Sequence, residues 1–188
     1  MPGNQRQSSL EEHLPAGDFS AWLLEMGSAL LGQRDSNIPC GACTACYTSS
    51  QFVHIGPDET DSLKHIPEAL LFAAPGLPAG HVVLGYDERG HCPMLQNGKC
   101  SIYPHRPRTC RTYDCRIFPA TGVEPGNDKP LIANQARRWQ FSFSDEAGRL
   151  RKAALEKAAL ELQHAATLSG PAPAPTQLAV AAVELLSK

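Results

Sequence analysis

The sequence contains no apolar run long enough to span a bilayer. Its start, MPGNQRQSSLEEHL, lacks the continuous apolar segment of a secretory signal. Both absences lead to the expectation of a cytoplasmic protein with no membrane partner. There is no phosphate-cradling glycine loop, no H-E-x-x-H helix and no nucleophile elbow, so the common marks of nucleotide hydrolysis, zinc proteolysis and serine hydrolysis are missing. An excess of one charge is missing as well. A formal net charge of −2 gives no global pull toward nucleic acid or anionic lipid. No internal repeat is visible. Finally, no cysteine lies outside two short stretches.

Those two stretches organise everything else. Cys40, Cys43 and Cys46 form a C-x-x-C-x-x-C run, and Cys92, Cys100, Cys110 and Cys115 punctuate CPMLQNGKCSIYPHRPRTCRTYDC. In a reducing compartment, thiols gathered in this way serve metal or redox chemistry rather than disulfides. Seven is also an odd number, and a full disulfide framework would leave one thiol over. A close-spaced triad with a remote fourth cysteine suits a [4Fe–4S] cluster. Tetrahedral zinc accepts four thiolates from two separated loops equally well. The choice between zinc and an iron–sulfur cluster therefore stays open, with all seven cysteines as candidate ligands.

The neighbours of the thiols support this reading. Arg106, Arg108, Arg111 and Arg116 can offset the negative charge of a thiolate site and donate hydrogen bonds to sulfur. The rival reading, a nucleic-acid patch, has only the short run HRPRTCR and no support from overall charge. His54, His65, His81, His91 and His105 are secondary ligand candidates, with His91 and His105 favoured by their position beside and within the second stretch.

The rest of the pattern predicts an α+β fold. A small cysteine-rich metal-binding core with short strands and a hairpin is flanked by N-terminal and C-terminal helices. With 188 residues the chain reads as one compact domain with extra helices, long enough to bury a real core. Residues 1–17 read as a mobile leader, 18–143 as the cysteine domain, 144–170 as a long helix, and 171–188 as a Pro/Ala spacer with a terminal helix. Asp18 is placed to cap a helix whose apolar face is Phe19, Trp22, Leu23, Met26, Ala29 and Leu30, with Gly32 as its stop. Short strands are expected over 51–55 and 81–86, the latter paired with 91–95 in a hairpin. Asn97-Gly98 is a tight-turn signal between Cys92 and Cys100. The long helix is expected to start at Ser144 and to bury Ala147, Ala154, Leu155, Ala158, Leu162 and Ala165. The tail beyond Pro171, which has no cysteine, is expected to be dispensable for metal binding.

The wording of the cysteine stretches resembles the YkgJ-type cysteine-cluster family. The matching pieces are Cys92-Pro93-Met94-Leu95, Cys100-Ser101-Ile102-Tyr103 and Arg106-Pro107-Arg108-Thr109-Cys110-Arg111, after the upstream triad. Family members are described as zinc- or iron-chelating, so the resemblance implies a bacterial-type metal-binding protein whose metal ion is its principal partner. Flagellin lysine methylases share a similar motif, which keeps a cluster-dependent modification enzyme as an alternative. A helix-mediated interaction module, presenting the C-terminal helices to a protein partner, is the third class. In the resembled family the upstream run often ends in a cysteine doublet, whereas here Cys46 is followed by Tyr47. Tyr47 therefore marks either a ligand position left vacant or a packing residue beside a single four-ligand site.

Overall fold

A computed structural model describes residues 13–169 and 173–187. Residues 14–17, expected to belong to the leader, are part of a strand instead. Leu14–Asp18 is a strand, β1, and residues 1–12 lie outside the described part. Asp18 then caps α1, Phe19–Leu30, by accepting the Ala21 N–H at 3.0 Å. The helix buries Phe19, Trp22, Leu23, Met26 and Ala29, as its 3.6-residue period requires, and Gly32 leaves it at φ +73°.

After the loop with the first cysteines come β2 (Val53–Ile55), α2 (Thr60–His65), β3 (Leu71–Ala73) and β4 (Val82–Leu84). The three strands form an antiparallel sheet in the order β2-β4-β3. Leu84 stands opposite both Val53 and Leu71. This corrects the expected hairpin of 81–86 with 91–95. The turn at Asp87–Gly90 is present, but β4 already has a partner on each edge, and Cys92 N–H instead donates to Tyr47 O at 2.7 Å.

The hairpin that does form joins β5 (Leu95–Gln96) to β6 (Lys99–Cys100) through Asn97 and Gly98, at φ +50° and +76°. Positive φ at both turn residues matches the twist of the flanking strands, which explains the Asn-Gly pair. Four helices, α3 (Arg108–Thr112), α4 (Ile117–Thr121), α5 (Pro130–Arg138) and α6 (Glu146–Ser169), follow, with β7 (Trp139–Ser142) between the last two. A final helix, α7, runs over Pro175–Leu186.

β1 and β7 pair in parallel, Leu14 against Trp139 and Asp18 against Ser142, and Asp18 also accepts the Ser144 N–H at 2.9 Å. Asp145 rather than Ser144 caps α6, accepting the Gly148 N–H at 2.7 Å. The buried stripe of α6 is Gly148, Leu155 and Ala159, while Ala147 and Ala154 face outward. Gly148 lies close against α1, where a Cβ would stand 3.1 Å from Ser20 Oγ. The end of this helix expected at residue 170 lies outside the described residues. Leu178, Ala179, Ala182 and Val183 of α7 are buried, so this helix belongs to the core rather than to an appended tail.

Two apolar clusters result. The larger gathers Phe19, Trp22, Ile117, Phe118, Trp139, Leu155 and Val183 from α1, α4, β7, α6 and α7. The smaller gathers Val53, Ile55, Ile66, Leu84, Met94 and Ile102. The helices at both ends and the short strands between them give the α+β mixture expected from sequence. No helix among the described residues is long and apolar enough to cross a membrane.

Candidate metal centre

The cysteines sit along the seam between the two clusters. Cys115 is part of the larger one, and Cys92, Cys100 and Cys110 pack against the smaller. The first triad lies on a loop that Gly41 bends at φ +55°, where Cys43 N–H donates to Cys40 O at 2.9 Å. A short 3-10 turn, Ala45–Tyr47, completes the loop.

Backbone bonds tie this loop to the second stretch. Ser36 N–H donates to Arg111 O at 2.7 Å, and Tyr47 O receives Cys92 N–H. The hairpin turn places Cys100 opposite Leu95, so it returns toward Cys92. Cys110 rides on α3. That helix is anchored by Thr109 Oγ1 donating to His54 O at 2.8 Å and by the buried Glu59 carboxylate, which accepts the N–H groups of Gly56 and Arg108.

Cys115 is held most firmly. The Trp139 indole N–H donates to its sulfur at 3.2 Å inside the larger cluster. On either side, buried Asp114 and Arg116 form an ion pair at 2.7 Å, and Asp114 also accepts the Trp22 indole N–H at 3.0 Å. The Arg116 guanidinium reaches Ala16 O and Asn37 O, each at 3.0 Å. One side chain thus connects β1, the first cysteine loop and the start of α4.

All seven thiols are free. Burial pushes those of Cys46, Cys110 and Cys115 up to about 12. Neighbouring thiols add to the effect: Cys40, Cys110 and Cys43 on Cys46, and Cys92 and Cys100 on Cys110. Cys40, Cys92 and Cys100 are raised too, mainly by burial. Ionising these groups side by side without a cation is unfavourable, and a bound cation removes that penalty.

Four thiols, those of Cys46, Cys92, Cys100 and Cys110, line a single cavity of about 250 Å³ with largely apolar walls that include Val53, Leu84 and Met94. Tyr47 lines it as well, and burial pushes its hydroxyl well above the ordinary phenol range. Two buried donors on the cavity wall, Arg106 Nε and the Tyr113 hydroxyl, have no hydrogen-bond partner among the described residues. Orphaned donors on the wall of a cavity that four thiols also line suit an anionic sulfur environment, so the donor set fits a thiophilic metal.

The expected roles divide unevenly. Of the four arginines, only Arg106 lines the cavity; its guanidinium lies 3.6 Å from the Tyr103 ring centre and also pairs with Asp35 at 3.7 Å. Arg108 pairs with Asp58, Arg111 with Asp35, and Arg116 with Asp114. His105 turns to Asp61, and His54 pairs with His81 at 2.9 Å. No three cysteine sulfurs lie within 4.8 Å of one another among the described residues. Four sulfurs around zinc stand about 3.8 Å apart, so these neutral thiols are gathered but not drawn in to ligand spacing. Of the two orphaned donors, Arg106 was among the four arginines that the sequence offered to the thiols, whereas Tyr113 was not, because it reaches the cavity only through the fold.

A family model described as a "putative zinc- or iron-chelating domain", CxxCxxCC, matches residues 38–135. The chain belongs to the CxxCxxCC family. The match spans just over half of the chain and takes in both cysteine stretches, in keeping with the resemblance carried by the motifs. Zinc or iron is thus the metal that the CxxCxxCC description attaches to this domain. No curated protein and no solved structure gives a significant match.

Proposed function

We propose that this CxxCxxCC protein chelates its zinc or iron through the thiols of Cys46, Cys92, Cys100 and Cys110, with Cys40, Cys43 and Cys115 in supporting positions beside them. The observation that carries the reading is the cavity, where cysteines from two distant stretches meet two donors left without partners. Zinc held there would act as a structural centre, and an iron–sulfur cluster would add electron transfer. The residues present serve either. Arg106 Nε and the Tyr113 hydroxyl, free of other partners, would supply hydrogen bonds to metal-bound sulfur, and the apolar walls limit water. Seven unpaired thiols are suited to a reducing compartment, which supports a cytoplasmic location.

Elemental analysis after anaerobic purification tests the proposal. Stoichiometric zinc or iron is expected in wild type, and loss of that metal in Cys110→Ser. The Cys43→Ser protein is expected to retain it. Equal loss in both variants would place Cys43 among the ligands and overturn the four-thiol assignment, and trace metal in folded wild type would remove the proposal altogether. Broad visible absorption with acid-labile sulfide selects the iron–sulfur cluster, and colourless zinc protein selects the structural ion.

A further inference from the structure

A second set of metal-binding side chains lies away from the thiols. Asp61 and His65 are one helical turn apart on α2 and project on the same side. His105 approaches them from the 3-10 turn Tyr103–His105. His105 Nδ1 lies 2.8 Å from Asp61 Oδ2. His65 Nδ1 lies 2.9 Å from the Asp61 carbonyl oxygen and 3.7 Å from its Oδ1. The two imidazoles stack, with centroids 3.5 Å apart and 7° between their planes. One ligand atom from each of the three residues falls within 4.8 Å of the other two. Among the described residues no other such group of histidine, cysteine and carboxylate occurs, the cysteines included.

We propose that Asp61, His65 and His105 form a site for a divalent transition cation of the zinc class, independent of the cysteines. His65 joins the pair through its Nδ1 contact with the Asp61 carbonyl oxygen and its stack on His105; an ion lies in the plane of each imidazole that ligates it, so binding turns the two stacked rings apart about their side-chain bonds. Two imidazole nitrogens and one carboxylate oxygen are the donor types that zinc accepts from protein, and three such ligands leave a position for water or an incoming ligand. Asp61 offsets part of the ion's charge, and all three side chains are open to solvent, so a cation can enter without rearrangement of the fold. The donors also differ from the thiols in kind. This is a nitrogen and oxygen site at the surface, whereas the sulfurs lie in the seam. His105 immediately precedes Arg106, which lines the thiol cavity, so the outer site and the inner one share a segment.

The test uses the full chain, saturated with Zn2+ and desalted so that the thiols keep what they hold. Further Zn2+ is then added while the imidazole nitrogen resonances are followed by NMR. Shifts confined to His65 and His105, with one additional equivalent bound, are expected. His65→Gln and His105→Gln should each weaken that additional binding by about tenfold or more, with the metal already bound unchanged. Asp61→Asn should weaken it as well. Additional binding that survives the double histidine substitution, or no movement of either ring in wild type, overturns the proposal. The wild-type spectra decide the matter even where a variant folds poorly.

Discussion

The indole of Trp139 makes the plainest case for how a single residue serves the centre. It fills the larger apolar cluster and points its one polar atom at the sulfur of Cys115. Trp139→Phe keeps an aromatic ring in the core and deletes the N–H. The expected cost is about 1 kcal/mol in stability by thermal or denaturant unfolding. If Cys115 supports the bound metal, affinity in a chelator competition should also fall by about tenfold. Tyr47 poses the opposite question, because it stands where the family pattern places a cysteine. The cavity beside it already has four thiols. Tyr47→Cys is therefore expected to leave metal stoichiometry and the ligand shell unchanged in elemental analysis and X-ray absorption. A rise in bound metal would show that tyrosine occupies a vacant ligand position.

Among the elements, β1 and α1 are joined to the far end of the chain by one carboxylate. Asp18 accepts from Ala21 and Ser144, and these hydrogen bonds hold its acidity below the usual carboxylate range. Because the folded value is depressed, the stability it contributes is present above the unfolded value of about 3.9 and is lost as pH falls through the folded value. Comparison of wild type with Asp18→Asn should show a stability difference that is constant at neutral pH and shrinks below about pH 4. Unfolding midpoints across that range measure it. The elements legible in the sequence share the locality of this cap. Asp18 before an apolar face, Asn97-Gly98 between two thiols, and the acidic start of α6 are all signals contained within a few residues. What escaped was decided at a distance. The β2-β4-β3 order depends on strands paired across α2 and across the 74–81 loop, the buried stripe of α6 on its packing against α1, α4 and α7, and the stack of His65 on His105 on two segments 40 positions apart. The thiols were legible as a set, but their distribution about the cavity depends on the seam between two cores.

At the scale of the whole molecule, α7 changes the expected effect of truncation. Ala179, Ala182 and Val183 are fully enclosed, and Thr176 reaches the cavity wall. Burial of Leu178 and Val183 alone contributes about 1.5–3 kcal/mol each, against a total of roughly 5–15 kcal/mol for a typical domain. Deleting 171–188 is expected to abolish the cooperative melting transition and, with it, metal retention, as differential scanning calorimetry and elemental analysis would show. The parallel pairing of β1 with β7 has a further consequence, in time rather than in energy. Asp18 and Ser144 are 126 positions apart, so on the ribosome the first strand waits for most of the chain before it finds its partner. Both cysteine stretches are synthesised before β7 is. The nascent chain therefore presents all its thiols before the larger core can close over them, and the period of greatest access to metal, and to oxidants, falls during synthesis rather than after it.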